Sequence, residues 1–213
     1  MKGPQNLKQC YLYAIIDTAY LQDRDPIQVT AQMIKGGVDI IQLRAKDMSR
    51  GDISSLAKDI LKTTKPAAIP FIINDDPEIA KEVQADGVHV GQDDISINEA
   101  RRIMGIRKWV GKSTHSLGQA LTAQEEGADY IGVGPIFATP TKPNYLPVGL
   151  ELIGQVKSKI KVPFFCIGGI KLENITQVLK AGAQWMAVVS GILKASDITD
   201  YCHSLKEKIL KSG

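Results

Sequence analysis

Short apolar runs rich in β-branched residues alternate with amphipathic stretches along the whole chain. Eight runs read as strands: Tyr11–Ile16, Asp39–Leu43, Pro70–Asn74, Gly87–Val90, Trp109–Lys112, Tyr130–Val133, Pro163–Ile167 and Met186–Val189. Between them the apolar period lengthens to that of a helix, most clearly over Ile53–Leu61, Leu117–Glu126, Ile175–Lys180 and Tyr201–Leu210. Eight strands separated by helices predict an α/β protein whose parallel strands close into a (β/α)8 barrel, the TIM barrel. A doubly wound open sheet is the alternative.

An internal repeat favours closure. Strands two, four, six and eight are entered through similar segments, Gly36-Gly37-Val38-Asp39, Gln84-Ala85-Asp86-Gly87, Gly127-Ala128-Asp129 and Gly182-Ala183-Gln184. Glycine suits the left-handed residue that ends a helix, and a small residue then lets the chain turn into the strand. Gln84 interrupts the pattern in the second copy. Strands three and seven begin instead at Pro70 and Pro163. The unit is a pair of strand–helix modules repeated four times, which suits an eightfold barrel better than an open sheet.

A length of 213 residues is short for such a barrel but adequate, so one catalytic domain spanning 1–213 is expected. With 44% hydrophobic and 23% charged residues, disorder is a poor reading. A formal charge of +3, scattered along the chain, does not suggest nucleic acid, and Lys206–Lys211 reads as the solvated face of a terminal helix. Cys10, Cys166 and Cys202 are odd in number and widely spaced, indicating neither disulfides nor zinc. No secretory leader or membrane span is read, so a soluble, cytoplasmic protein in a reducing compartment is expected.

In a barrel of this kind chemistry gathers where strands end. After the second strand, alternation puts Gln42, Arg44 and Lys46 on one side, away from Ile41 and Leu43. Two cations and an amide there suit a polyanion, or else form a solvated loop. After the third strand Pro77 makes Asp76 the expected helix N-cap, leaving Asp75 without a capping role. After the fourth, Ser96 and Glu99 have capping-box spacing, which leaves Asp94 similarly unassigned. Two carboxylates from adjacent strands can hold Mg²⁺ together with phosphate and water, or stand as solvated loop acids.

The fifth strand leads to Ser113-Thr114-His115, with Ser116 as a cap. No Gly-x-Ser-x-Gly elbow is present, so Ser113 reads as a phosphate ligand rather than a nucleophile. His89 reads as a satisfied barrel residue, and His203, in the terminal helix, as inert. The long segment Gly134–Pro143 carries Thr139, Thr141 and Lys142 and reads either as a lid over phosphate or as a proline-rich connector. Gly168-Gly169 and Val189-Ser190-Gly191 end the last two strands, where many barrels bind phosphate. Trp109 and Trp185, at strand starts, read as packing residues.

Taken in order, these segments resemble the thiamine phosphate synthase family. The likeness runs through Gln42-Leu43-Arg44-x-Lys46, Asn74-Asp75, Ala85 to Asp94, Ser113-x-His115, Gly132 to Phe137, Thr139-x-Thr141-Lys142 and Ile167 to Ile170. The resemblance implies that Arg44, Lys46, Ser113 and Lys142 hold the diphosphate of hydroxymethylpyrimidine diphosphate, with Asp75 and Asp94 binding a bridging Mg²⁺. It implies that Gln42 and Asn74 contact the pyrimidine beside Tyr13 and Ile15. Thr139, Thr141, Gly169, Val189 and Ser190 would bind the thiazole phosphate. The implied partners are these small-molecule substrates, with no nucleic acid or membrane and with a homo-oligomer left open.

Ala45, Lys112 and Asn144 depart from the family pattern, and the direction of Lys112 decides whether it reaches the mouth. Two rivals remain: a thiazole tautomerase of the same fold, using an acid–base residue such as His115, and a non-catalytic phosphate-binding barrel. Retention of the cations and both acids argues against each.

Overall fold

The computed structural model describes residues 6–141 and 145–212. Eight parallel strands pair in sequence order and close: β1 (Leu12–Asp17), β2 (Ile40–Arg44), β3 (Phe71–Asn74), β4 (Gly87–Val90), β5 (Trp109–Thr114), β6 (Tyr130–Val133), β7 (Phe164–Cys166) and β8 (Trp185–Val188). The helices are α1 (Pro26–Lys35), α2 (Arg50–Thr64), α3 (Pro77–Glu82), α4 (Ile97–Met104), α5 (Leu117–Glu125), α6 (Glu151–Lys159), α7 (Ile175–Lys180), α8 (Ser190–Leu193) and α9 (Ile198–Leu210). The expected barrel is therefore present, and the open-sheet alternative is not. Among the described residues no helix is long and apolar enough to cross a membrane.

Several ends differ from the expectation. β1 and β2 run one residue further, taking Asp17 and Arg44 into the sheet, and β5 extends to Thr114. Pro70 and Pro163 lie just outside β3 and β7 because proline has no N–H for the ladder, although their carbonyls accept from Ile41 and Ile131. β8 starts and stops one residue early, and Ser190 opens the short α8. The foreseen caps form: Asp76 accepts from the Ile79 N–H, Ser96 and Glu99 make a capping box, and Ser116 accepts from the Gln119 N–H.

The four-fold repeat has a physical basis that its letters only partly reveal. Gly37, Gln84, Gly127 and Gly182 all sit at positive φ, of 87°, 60°, 86° and 106°. Gln84 thus takes the same left-handed turn at a cost that glycine avoids. The acids that follow do more than end the turn. Asp39, Asp86 and Asp129 accept an N–H at the start of a neighbouring strand, from Leu12 at 2.9 Å, Phe71 at 2.9 Å and Val110 at 2.7 Å. Each carboxylate satisfies a donor at the foot of the barrel, and Gln184 replaces it in the last copy.

Alternation sorts the strand side chains into two layers. Leu12, Ile16, Ile41, Leu43, Val88, Val90, Ile131 and Met186 are buried in one core cluster and fill the outward, helix-facing layer. The inward set is different: Tyr13, Ile15, Gln42, Arg44, Asn74, His89, Ser113, Tyr130 and Phe165 line a central cavity. Room for it comes partly from Gly111, where an added Cβ would lie 2.2 Å from Tyr130 Cζ and 2.6 Å from His89 Nδ1. Gly111→Ala is therefore expected to cost about 1–3 kcal/mol through overpacking. Urea denaturation measures this, and an unchanged midpoint would count against the tight fit.

Candidate active site

The cavity opens at the C-terminal ends of the strands and has a volume of about 900 Å³, its mouth included. At its floor Tyr13, Tyr130 and Phe165 pack together, the Phe165 ring meeting Tyr13 edge-on at 5.2 Å and Tyr130 at 5.5 Å. A chain of polar contacts crosses this floor. Gln42 Nε2 donates to Tyr13 Oη at 2.7 Å, and the two tyrosine hydroxyls lie 3.1 Å apart. Tyr130 Oη meets His89 Nδ1 at 3.3 Å, and His89 Nε2 meets Ser113 Oγ at 3.0 Å. Burial pushes both tyrosine hydroxyls well above their ordinary pKa, so they stay protonated donors. His89 is thus held within the barrel network, as the sequence suggested.

A second, more polar cavity adjoins the first and shares Arg44, Asn74, Ser113 and Thr141 with it. Lys46, Asp75, Gly91, Gln92 and Asp94 complete much of its wall. Arg44 Nη1 donates to Asp17 Oδ2 at 2.6 Å, and Asp17 is only 1% exposed. Asp75, at the end of β3, has φ 65°, a left-handed conformation that aspartate tolerates better than most residues. Its carboxylate pairs with Lys46 and shares the wall of the cavity with Asp94.

The two acids are electrostatically unequal. Burial, then contact with Asp94, raises the Asp75 pKa. Burial also pushes Asp94 upward, but the bonds from Asp75 and the Gly91 N–H, with Lys46 and Lys112 nearby, leave it below the ordinary range. Two carboxylates this close repel one another, and a divalent cation between them would relieve that repulsion. Hard oxygen donors suit Mg²⁺, and among the described residues no group of three or more His, Cys, Asp or Glu offers an all-protein cage. Two carboxylates of this kind suit Mg²⁺ better than zinc.

The structure adds a role to one acid and settles a direction that the sequence left open. Asp94 caps no helix, as expected, but its Oδ2 accepts the Gly91 N–H at 2.7 Å and ties down its own loop. Lys112 does not reach the mouth. It is 8% exposed and its Nζ donates to the Gly91 carbonyl at 2.7 Å on the helix-facing side.

Thr139, Thr141, Gly169, Val189 and Ser190 also line the central cavity, with Thr141 bordering the polar cavity too. Tyr20 Oη lies 3.2 Å from Thr141 Oγ1, linking the loop after β1 to the loop after β6. His115, the acid–base candidate of the tautomerase alternative, turns Nδ1 to the Gly134 carbonyl and stacks on Tyr145 at 4.5 Å. Lys142 and Asn144 lie outside the described residues. Sequence reasoning missed Asp17, Tyr130, Phe165 and Gln92. Extending the β1 alternation Tyr13, Ile15 by one step would have found Asp17, and stepping back from Gly132 would have found Tyr130.

Comparison with known proteins bears on this site. A family model described as thiamine monophosphate synthase matches residues 12–192. The thiamine-phosphate synthase of Halalkalibacterium halodurans is 46% identical over 192 residues, covering 90% of this chain and 91% of that protein. That of Shouchella clausii is 44% identical over 193 residues, covering 90% and 92%. Among solved structures, the thiamine phosphate pyrophosphorylase from Pyrococcus furiosus superposes with a TM-score of 0.89 at 30% identity, covering 97% of this chain and 99% of that one.

Proposed function

The chain belongs to the thiamine monophosphate synthase family and makes thiamine phosphate, and we propose that it does so by a Mg²⁺-assisted dissociative route at the two adjoining cavities. The observation that carries the proposal is the gathering of Asp75 and Asp94 with Arg44, Lys46 and Ser113 around one polar cavity, at the rim of an aromatic-floored pocket.

Hydroxymethylpyrimidine diphosphate lies with its ring on the floor and its diphosphate in the polar cavity. Tyr13 holds the plane of the Gln42 amide, and Gln42 and Asn74 read the aminopyrimidine. Arg44, Lys46 and Ser113 bind the diphosphate oxygens, and the family resemblance gives Lys142 the same role. Asp75 and Asp94 would hold Mg²⁺. When bound, the ion neutralises charge on the leaving diphosphate.

The carbon–oxygen bond breaks with its electron pair leaving on the diphosphate. The electron-rich aminopyrimidine stabilises the methylene cation, and the thiazole nitrogen lone pair forms the carbon–nitrogen bond. Thr139, Thr141, Gly169, Val189 and Ser190 place the thiazole phosphate for that attack. No protein nucleophile takes part, so the cationic rim supplies most of the stabilisation.

The whole chain acts as one catalytic barrel. Its three cysteines are free and buried, which supports a reducing, cytoplasmic setting. The direct test combines the protein, Mg²⁺ and both substrates and follows thiamine phosphate and released diphosphate. Stoichiometric formation of both, dependent on Mg²⁺, is expected. Formation of both at full rate in excess chelator would remove the metal from the mechanism.

A further inference from the structure

Lys112 stands on β5 opposite Val90 of β4 and points away from the cavity, into the helix-facing layer. A lysine there is costly to bury and calls for a specific partner. It has one: Nζ donates to the Gly91 carbonyl at 2.7 Å. The N–H of the same glycine donates to Asp94 Oδ2, also at 2.7 Å. Both backbone groups of Gly91 are therefore gripped, one by an ammonium and one by the carboxylate proposed to bind metal. A Cβ on Gly91 would lie 2.9 Å from Asp94 Oδ2, so the carboxylate rests directly against the backbone. One residue on, Gln92 Nε2 donates to the Ser113 carbonyl at 2.6 Å. Successive residues of β5 thus pin the loop after β4, Lys112 from outside the barrel and Ser113 through its carbonyl.

We infer that Lys112 is a positioning residue for the reaction, holding Asp94 in its place at the mouth through the Gly91 peptide. The inference rests on the metal role proposed for Asp94. Lys112 borders a small cleft with Gln92, Asp94, Ser96, Gln119 and Glu126, so its charge also faces two acids. Its two influences on a metal have opposite signs. An ammonium near a cation site repels the cation, whereas a carboxylate held in place binds it better. The sign of the change on removing the ammonium therefore separates positioning from field.

The test compares the full chain with Lys112→Met, which keeps the apolar stem, and Lys112→Gln, which keeps a shorter neutral donor in case the first does not fold. Mn²⁺ binding is followed by electron paramagnetic resonance with inorganic diphosphate present, alongside melting temperature and the KM of each substrate. Mn²⁺ binding is expected to weaken about tenfold, with the KM for thiazole phosphate unchanged. A lower melting temperature with unaltered Mn²⁺ affinity, or a tighter affinity, overturns the inference. Wild-type protein that binds no Mn²⁺ overturns the metal reading along with it. Wild-type binding matched by the folded variant overturns the inference alone.

Discussion

Replacing Asp75 with asparagine lowers turnover by about 10²–10³-fold, the scale of removing one group that stabilises charge developing in a transition state. Stability is expected to move the other way or not at all. Asp75 faces Asp94, and burial together with that contact raises its pKa, so the fold already strains against its charge. Asparagine keeps the shape and tolerates the left-handed φ of 65°. The lost ion pair with Lys46 is a small offset, since Lys46 is half exposed and well screened.

Asp94→Ala is a useful contrast because it also removes the acceptor of the Gly91 N–H. It is expected to lose comparable turnover and about 1–2 kcal/mol of stability as well. Initial rates of diphosphate release across a Mg²⁺ series, with melting curves, measure both. Full Asp75→Asn activity at limiting Mg²⁺ would refute the metal role.

Arg44→Ala is expected to lose both activity and stability, for separable reasons. Its guanidinium neutralises the leaving diphosphate in the proposed mechanism, and it is also the partner of Asp17, which is 1% exposed. Removing one partner of a buried pair leaves the other charge stranded, at about 3–5 kcal/mol. The double variant Asp17→Asn/Arg44→Ala removes the stranded charge and is expected to recover much of that stability while staying inactive. Urea denaturation of the wild type, both single variants and the double variant gives the coupling between the two residues. An Arg44→Ala protein as stable as wild type would show that the pair is not a structural element. Recovered activity in the double variant would show that Arg44 is not a diphosphate ligand.

Strand order, the parallel barrel and most strand-end residues were legible because each leaves a local trace. Period-two runs mark strands, a proline after aspartate marks a helix start, and small residues before Asp39, Asp86 and Asp129 mark a repeat. Less was legible at the site. Asp75 and Asp94 were found by asking which acids the helix caps left over, yet Asp94 proved to hold its own loop. Asp17 was passed over because the first strand was ended one residue early.

By itself, then, the sequence determined the alternation, the repeat and which residues stand at the strand ends. These follow from backbone periodicity and turn chemistry, which act over a few neighbouring residues. Only the closed barrel decided who faces whom. Period two says that Lys112 and Ser113 point to opposite sides, but not which side is the cavity. Asp17 meets Arg44 across 27 residues of chain, and Tyr13 meets Tyr130 across 117. Pairings at such separations have no local signature, because closure of the sheet brings them together and the space left by Gly111 sets where the tyrosine can lie.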